Sequence, residues 1–221
     1  MRKGNHTSPY YPIFLGLSGK KCVVVGGGQV ALRKVKTLLE HEAEVEVISS
    51  DFCPELVQMA EKGIIRILLK GYNNGDLEGA FMAIVATDDG AVNYKVADDA
   101  RQNRILINVV DAPEHSDFIA PSYLRRGAIT IAVATDGRSP ALARKIRTSL
   151  EKDFGDEYAL LALVIGEARQ ELKEQGMKFN SDIWQKAIDL GGLTRMLRAG
   201  QREKAKVTLL TNLKRLSQTQ T

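Results

Sequence analysis

Apolar positions in the first half of the chain follow two alternating spacings. Short runs rich in β-branched residues predict strands, and stretches with apolar residues three and four positions apart predict helices. The expected order is strand 21–25, helix 30–39, strand 44–49, helix 54–62, strand 64–69, strand 81–87, helix 91–103 and strand 105–110. Repeated βαβ units need crossover helices, so these strands are predicted to lie parallel in a doubly wound sheet. Residues just beyond the carboxyl ends of the strands are therefore the candidates for a functional site.

The pattern changes after residue 111. Segments 118–124 and 128–134 predict a pair of extended strands joined near Arg126 and Gly127. A helix is predicted next, with Ser139 as its cap and Pro140 in its first turn. From residue 158 the sequence reads as helical in three stretches, ALLALVIGEARQELKEQG, SDIWQKAIDL and GLTRMLRAGQREKAKVTLLTNLKRL. We therefore predict three parts: an α/β nucleotide-binding domain over 1–112, a small central β region over 113–153 and a helical C-terminal domain over 154–221.

Composition narrows the classes of protein that this chain can be. Of its 221 residues 44% are hydrophobic, which is enough for a sizeable core and excludes disorder as the main state. A net charge of +4 does not by itself predict nucleic-acid binding. The apolar runs are strand-sized and the first 17 residues lack a signal-peptide pattern, so we expect no membrane span and a cytoplasmic location. The two cysteines are expected to be reduced packing residues, and the three histidines form no ligand pair, so no metal site is predicted.

The sharpest local motif is CVVVGGGQVALRK, in which three glycines separate a strand from a helix. Gly26 allows a tight turn, Gly28 allows a pyrophosphate to approach the backbone, and Ala31 allows the helix to pack closely. The helix N-terminus adds N–H groups and the positive end of the helix dipole. The motif predicts a dinucleotide site in a Rossmann-like domain, and a purely structural glycine turn is the alternative.

Polar residues follow two other predicted strands of the sheet. Ser50 and Asp51 come after the second strand and are the candidates for binding ribose hydroxyls. No Arg or Lys is adjacent to hold a 2′-phosphate, so NAD is predicted over NADP. Thr87 and Asp88 come after the fourth strand, where they could contact a cofactor or, with Asp89, cap the next helix.

Asp111 follows the fifth strand, at the sheet edge where an acid would face a substrate, and a loop-capping role is the alternative. His115 is either a proton relay or a solvated loop residue. Thr135, Arg138 and Ser139 lie at a strand-to-helix corner that favours anions, and a solvated, basic helix face is the alternative.

Four segments in fixed order resemble a known family: YPIFLGLSGKKCVVVGGGQVALRKVKTLL, IVATDD, NVVDAPEHSDFIAPS and AITIAVATDGRSPALARKIR. Over about residues 10–153 they are similar to the precorrin-2 dehydrogenase family, the oxidase part of sirohaem synthase. The resemblance implies NAD⁺-dependent oxidation of precorrin-2 to sirohydrochlorin, with Asp111 as the acid–base residue. It also implies NAD contacts from Gln29 and Val30 and from Ser50 and Asp51.

The same resemblance implies a homodimer joined through the central β region. Substrate contacts are expected from His115, Thr135, Arg138 and Ser139, and Thr135 stands where a relative has a regulatory serine. Some family members also insert Fe²⁺ into sirohydrochlorin and others leave that step to a separate chelatase; the sequence leaves both versions open.

Two functions from other classes remain as alternatives. A non-catalytic NAD-sensing or interaction module would keep the glycine turn and would not need Asp111, since a fold does not fix a function. A nucleic-acid binder would use the basic stretch after residue 195, but the low net charge and the lack of an aromatic platform argue against it. The predicted partners are therefore a small-molecule substrate and a second copy of the chain, with no nucleic acid and no membrane.

Overall fold

A computed structural model describes residues 10–218 of the chain. The chain divides into two compact units, with the boundary between Ala120 and Pro121. The division into 1–112, 113–153 and 154–221 stays a prediction. Residues 1–9, where most of the signal-peptide pattern would fall, and residues 219–221 lie outside the described part.

The first unit alternates strands and helices along the described chain. Its elements are β1 (Lys21–Val25), α1 (Gln29–Leu39), β2 (Glu44–Ser49), α2 (Pro54–Glu61), β3 (Arg66–Leu69), β4 (Met82–Val85), α3 (Gly90–Gln102) and β5 (Leu106–Val109). The strands form one parallel sheet in the order β3-β2-β1-β4-β5. The predicted doubly wound, Rossmann-like sheet is confirmed, and each predicted element boundary lies within two residues of the observed one.

Both faces of this sheet are covered, which explains why its strands read as nearly continuous apolar runs. In β1, Cys22 and Val24 point into a core cluster shared with α1 and α2. Val23 and Val25 point into the opposite cluster, shared with α3. Cys22 is buried and Cys53 is half-buried, and both are free thiols, as predicted.

The second unit begins with an antiparallel hairpin and continues as helices. Its described elements are β6 (Ser122–Arg126), β7 (Ile129–Val133), α4 (Pro140–Asp153), α5 (Glu157–Glu174), α6 (Ser181–Ala187), α7 (Leu190–Arg198) and α8 (Arg202–Gln218). The predicted start of the first hairpin strand at residue 118 is wrong, since β6 begins at Ser122. Phe118 instead packs against the core of the first unit, and its carbonyl oxygen accepts a hydrogen bond from the Asn108 amide at 2.9 Å.

Packing in the second unit joins the hairpin to the helices. The α4 helix packs on the hairpin, and Gly127 in the hairpin turn, with φ +57°, lies against Ala159 of α5. Helices α5 to α8 share a third apolar core. The last predicted helical stretch contains two helices, α7 and α8, because Gly200 takes a left-handed conformation (φ +71°) that ends the first of them.

Candidate functional site

The carboxyl ends of β1, β2, β4 and β5 carry the predicted site residues of the first unit. The chain runs outward from β1 to β2 and β3 in one direction and from β4 to β5 in the other, so the strand order reverses between β1 and β4. In open α/β sheets a ligand binds at such a reversal, outside the carboxyl ends of the strands. We call the residues at these four ends the strand-end site.

The glycine turn after β1 is closed in by backbone from two neighbouring strand ends. Gly26 has φ +124°, and a Cβ there would lie 2.3 Å from the carbonyl oxygen of Ala86. A Cβ on Gly27 would lie 1.8 Å from the carbonyl oxygen of Asp51. A Cβ on Gly28 would meet nothing within 4 Å. The turn therefore requires glycine at its first two positions for packing, while Gly28 faces the open space that a pyrophosphate needs.

The first turn of α1 has the arrangement that suits an anion. Gly28 is the residue before the helix, and no side chain caps the helix there. Gln29 and Val30 are exposed and Ala31 is fully buried. The free N–H groups and the positive dipole end of α1 therefore face solvent beside Gly28, and these residues fit the pyrophosphate of a dinucleotide.

The end of β2 is folded against the glycine turn. The Cys53 N–H donates to the Gly27 carbonyl oxygen at 2.8 Å, and the Asp51 carboxylate accepts from the Phe52 N–H at 2.8 Å. Ser50 and Asp51 are both exposed. The geometry thus brings the two predicted ribose-binding residues to the glycine turn and places a carboxylate there.

At the end of β4 the capping interpretation is confirmed for Asp89. Its carboxylate accepts from the N–H groups of Ala91 and Val92 at 2.9 and 3.2 Å. The Thr87 hydroxyl donates to the Asn93 side-chain oxygen at 2.7 Å, and Asp88 is exposed. The cofactor contacts of Thr87 and Asp88 stay a prediction. The Thr87 hydroxyl is already hydrogen-bonded to Asn93 of α3.

Asp111 lies on an exposed turn after β5, with φ +61°. Asp and Asn tolerate this left-handed conformation better than other non-glycine residues. The turn is tied back to β5: the Ser116 hydroxyl accepts from the Val109 N–H at 2.9 Å and donates to the Ala112 carbonyl oxygen at 3.0 Å. Asp111 is thereby held at the carboxyl end of a strand that neighbours β4.

His115 and the other predicted substrate contacts fall in different units. His115 lies in a single 3₁₀ turn, Pro113–His115, with its ring edge-on to Tyr94 at 6.1 Å between centroids. Thr135, Arg138 and Ser139 belong to the second unit. There the Thr135 hydroxyl accepts from the Ser139 N–H at 3.0 Å, and the Ser139 hydroxyl caps α4 by accepting from the Leu142 N–H at 3.2 Å.

Sequence reasoning missed Gly27, Ser116 and Lys34. Gly27 stands at a variable position of the dinucleotide motif, and only the path of Asp51 in space shows why it is glycine. Ser116 is a loop serine without a motif. Lys34 is half-buried on α1, and burial lowers its pKa, with repulsion from Arg33 adding to this effect and the Asp111 carboxylate opposing it. Lys34 comes four residues after Val30 and therefore lies on the same face of α1. This spacing is the one feature of the sequence that could have pointed to Lys34.

In the described part of the chain, no three His, Cys, Asp or Glu side chains come together in a way that could hold a metal ion. Along residues 10–218, no helix is both long and apolar enough to cross a bilayer.

Comparisons with known proteins bear on this site. A family model described as "Putative NAD(P)-binding" matches residues 13–122, and one described as "Sirohaem biosynthesis protein central" matches residues 126–152. A "Siroheme synthase" from Methylococcus capsulatus is 37% identical over 203 residues, covering 91% of this chain and 43% of the relative. A "Siroheme synthase" from Chromobacterium violaceum is 43% identical over 153 residues, covering 69% of this chain and 33% of the relative.

Over about nine-tenths of its length the chain is similar to sirohaem synthases. It spans less than half the length of these sirohaem synthases. A solved structure described as "SirC, precorrin-2 dehydrogenase" is similar in fold, with a TM-score of 0.69 and 24% identity, covering 93% of this chain and all of that one. The fold predicted from the sequence and its resemblance to this family are therefore confirmed.

Proposed function

We propose that this chain is a dehydrogenase that oxidises precorrin-2 to sirohydrochlorin with NAD⁺. One juxtaposition in the structure carries the proposal. The glycine turn after β1 and the Asp111 turn after β5 lie at the same edge of the sheet, with only β4 between their strands. The names of the relatives, sirohaem synthase and precorrin-2 dehydrogenase, supply the substrate class.

The proposed cofactor site uses the backbone of the glycine turn. The N–H groups at the start of α1, at Gln29 and Val30, would hold the pyrophosphate beside Gly28. Ser50 and Asp51 would hold the ribose hydroxyls. The Asp51 carboxylate would repel a 2′-phosphate, which favours NAD⁺ over NADP⁺. Bound NAD⁺ would supply the hydride acceptor for the reaction.

Oxidation of precorrin-2 removes two hydrogens from the macrocycle, one as a hydride that passes to NAD⁺ and one as a proton. We assign the proton to the Asp111 carboxylate, which would act as a general base from within about 3 Å of the leaving proton or through one bridging water. The products are then sirohydrochlorin, NADH and a proton that Asp111 returns to solvent.

The substrate carries many acetate and propionate groups, so its proposed contacts are cationic or at helix starts. Arg138 is exposed just before α4, whose first turn is capped by Ser139. Arginine and helix N-termini both favour carboxylates. Thr135 and His115 complete the proposed set, with Thr135 positioning the backbone of Ser139 through its hydroxyl.

A homodimer joined through the central β region is part of the proposal. Apolar side chains on two helices of the second unit are exposed: Leu142 and Ile146 on α4, and Leu160 and Leu163 on α5. Exposed apolar side chains that share a helix face are typical of an interface. Sedimentation equilibrium measures this directly, and a monomer at micromolar concentration would contradict it.

The test is anaerobic incubation of the protein with precorrin-2 and either NAD⁺ or NADP⁺. The formation of reduced cofactor is measured by its absorbance. We expect turnover with NAD⁺ and much slower turnover with NADP⁺. Cofactor binding without turnover would instead support the sensor module considered above. A parallel reaction with sirohydrochlorin and Fe²⁺ but no NAD⁺ tests iron insertion, against a control without protein.

A further inference from the structure

Asn93 holds the end of β4 through its side chain. It lies in the first turn of α3 and is half-buried. Its amide nitrogen donates to the Thr87 carbonyl oxygen at 3.1 Å, and its amide oxygen accepts from the Thr87 hydroxyl at 2.7 Å. A carbonyl oxygen can only accept, so the nitrogen must face it and the amide oxygen must face the hydroxyl. Asn93 thus fixes both the backbone and the side chain of Thr87.

The backbone that Asn93 holds forms one wall of the glycine turn. The Ala86 N–H donates to the Val25 carbonyl oxygen at 2.8 Å, so β4 stays paired with β1 up to the turn. A Cβ on Gly26 would lie 2.3 Å from the Ala86 carbonyl oxygen and 3.4 Å from Cγ2 of Thr87. The end of β4 is therefore packed against Gly26, and a shift of Thr87 would change the shape of the space beside the turn.

This wall lies on the opposite side of the glycine turn from the proposed ribose-binding residues. Strand β1 is flanked by β2 on one side and by β4 on the other. Ser50 and Asp51 follow β2, so a dinucleotide whose adenosine ribose binds there would extend across the turn after β1, with its nicotinamide half at the end of β4. The Thr87 hydroxyl donates its proton to Asn93, so Thr87 offers the cofactor a fixed shape rather than a hydrogen-bond donor.

We propose that Asn93 is a positioning residue for the nicotinamide half of NAD⁺, because it fixes the backbone of Ala86 and Thr87 against which that half would bind. This inference rests on the dinucleotide site of the function proposed above. A carboxylate in place of the amide could accept from the Thr87 hydroxyl but could not donate to the Thr87 carbonyl oxygen, and an aliphatic side chain could do neither. Without Asn93 the Ala86 N–H keeps its partner on β1, so the fold survives and the loss falls on cofactor binding.

The first test is isothermal titration calorimetry of Asn93→Ala with NAD⁺ and with ADP, which has the adenosine and the pyrophosphate but no nicotinamide riboside. We expect the Kd for NAD⁺ to rise about tenfold and the Kd for ADP to stay unchanged. The matched control is Asn103→Ala, because Asn103 follows the other end of α3 and donates two hydrogen bonds to Asp99, at 2.9 and 2.8 Å. Both variants should lose stability in urea, but Asn103→Ala should bind NAD⁺ like wild type. Equal weakening of NAD⁺ binding in both variants, or of NAD⁺ and ADP binding in Asn93→Ala, would overturn the inference.

The second test is Thr87→Val, which removes the hydroxyl and keeps the Cγ2 methyl group and the carbonyl oxygen that Asn93 holds. We expect a smaller rise in the Kd for NAD⁺ than in Asn93→Ala, because one of the two hydrogen bonds remains. An unchanged Kd overturns the inference, and a larger rise than in Asn93→Ala also overturns it, since the hydroxyl itself would then bind the cofactor.

These measurements separate the inference from the proposed reaction. If the variants bind NAD⁺ as expected and the wild type does not oxidise precorrin-2, the positioning role of Asn93 stands and the reaction is rejected. If the wild type oxidises precorrin-2 and Asn93→Ala binds NAD⁺ with unchanged Kd, the inference alone is overturned. A wild-type protein that binds no NAD⁺ overturns both.

Discussion

The turns after β1 and β5 are both held in a fixed conformation, but by different kinds of contact. Each must hold a fixed shape at the edge of the sheet while exposed to solvent. The turn after β1 does this without side chains, since Gly26 and Gly27 let the backbones of Ala86 and Asp51 pass within contact distance. The turn after β5 does it with side chains, chiefly the Ser116 hydroxyl. The first leaves the N–H groups at the start of α1 without a side-chain cap, and the second exposes a carboxylate.

The difference indicates that the glycine turn and the Asp111 turn tolerate different changes. At Gly26 and Gly27 an added Cβ would collide with backbone that follows another strand. In the Asp111 turn the Ser116 side chain supplies hydrogen bonds, so its removal leaves the Val109 N–H without an acceptor. Three substitutions, at Asp111, Gly27 and Ser116, test this contrast, and a fourth, at Glu157, tests an ion pair in the second unit.

Asp111→Asn should have the largest effect. Asparagine accepts the left-handed backbone at this position but cannot take up a proton, so the fold and NAD⁺ binding should survive. We expect turnover with precorrin-2 to fall by about 10²- to 10⁴-fold. Glu114→Gln, an exposed acid in the same segment, is the control and should retain activity. Asp111→Asn with more than half of wild-type turnover would remove this carboxylate from the mechanism.

Gly27→Ala should come next and affect stability. Its methyl group would lie 1.8 Å from the Asp51 carbonyl oxygen, so the β2 end must move. We expect the free energy of unfolding in urea to fall by about 3 kcal/mol. Gly28→Ala meets nothing within 4 Å and should leave stability unchanged while weakening NAD⁺ binding. If both variants were equally stable, the packing account of the first turn would be wrong.

Ser116→Ala should cost less, about 1–2 kcal/mol of unfolding free energy, because the Val109 N–H loses its hydrogen-bond acceptor and the Ala112 carbonyl loses one of its two donors. Amide hydrogen exchange at Val109 should accelerate in this variant. Ser149→Ala, at an exposed position of α4, serves as the comparison. Unchanged exchange at Val109 would show that the second turn does not depend on its serine.

Glu157→Gln should have the smallest effect and lies outside both turns. The hydrogen bond from Arg198 holds the pKa of Glu157 below its usual value, and their Coulomb attraction adds to this. A lowered pKa contributes stability above the unfolded-state value that is lost as pH falls through the folded-state value. Fluorescence of Trp184, in the second unit, should therefore report a weaker acid-side loss of stability in Glu157→Gln. Equal pH dependence in both proteins would contradict this assignment.

The sequence predicted the parts of the fold that are encoded locally. Strand runs and helical spacing sufficed for the parallel sheet, and the glycine motif sufficed for the turn after β1. The hairpin start was misplaced because Phe118 is apolar and reads as a strand residue, whereas its apolar ring is used in the core of the first unit. Apolar character alone does not distinguish the two.

The missing parts of the site depend on contacts between residues far apart in the chain. Gly27 lies against the backbone of Asp51, although the two residues are far apart in the chain. No spacing rule within a helix or strand reports such a contact. The residues proposed to bear the chemistry stand at strand ends and could be predicted, whereas the residues that hold these turns in place could not.

The hydrogen bonds along the outer edge of β5 affect whether another strand can pair with it. This strand is an edge of the sheet, and its outward N–H groups at Ile107 and Val109 are taken by the side chains of Asp117 and Ser116. A strand from another molecule could pair with β5 only after displacing both side chains. The loop after β5 thus covers this edge of the sheet and hinders aggregation by strand addition next to Asp111.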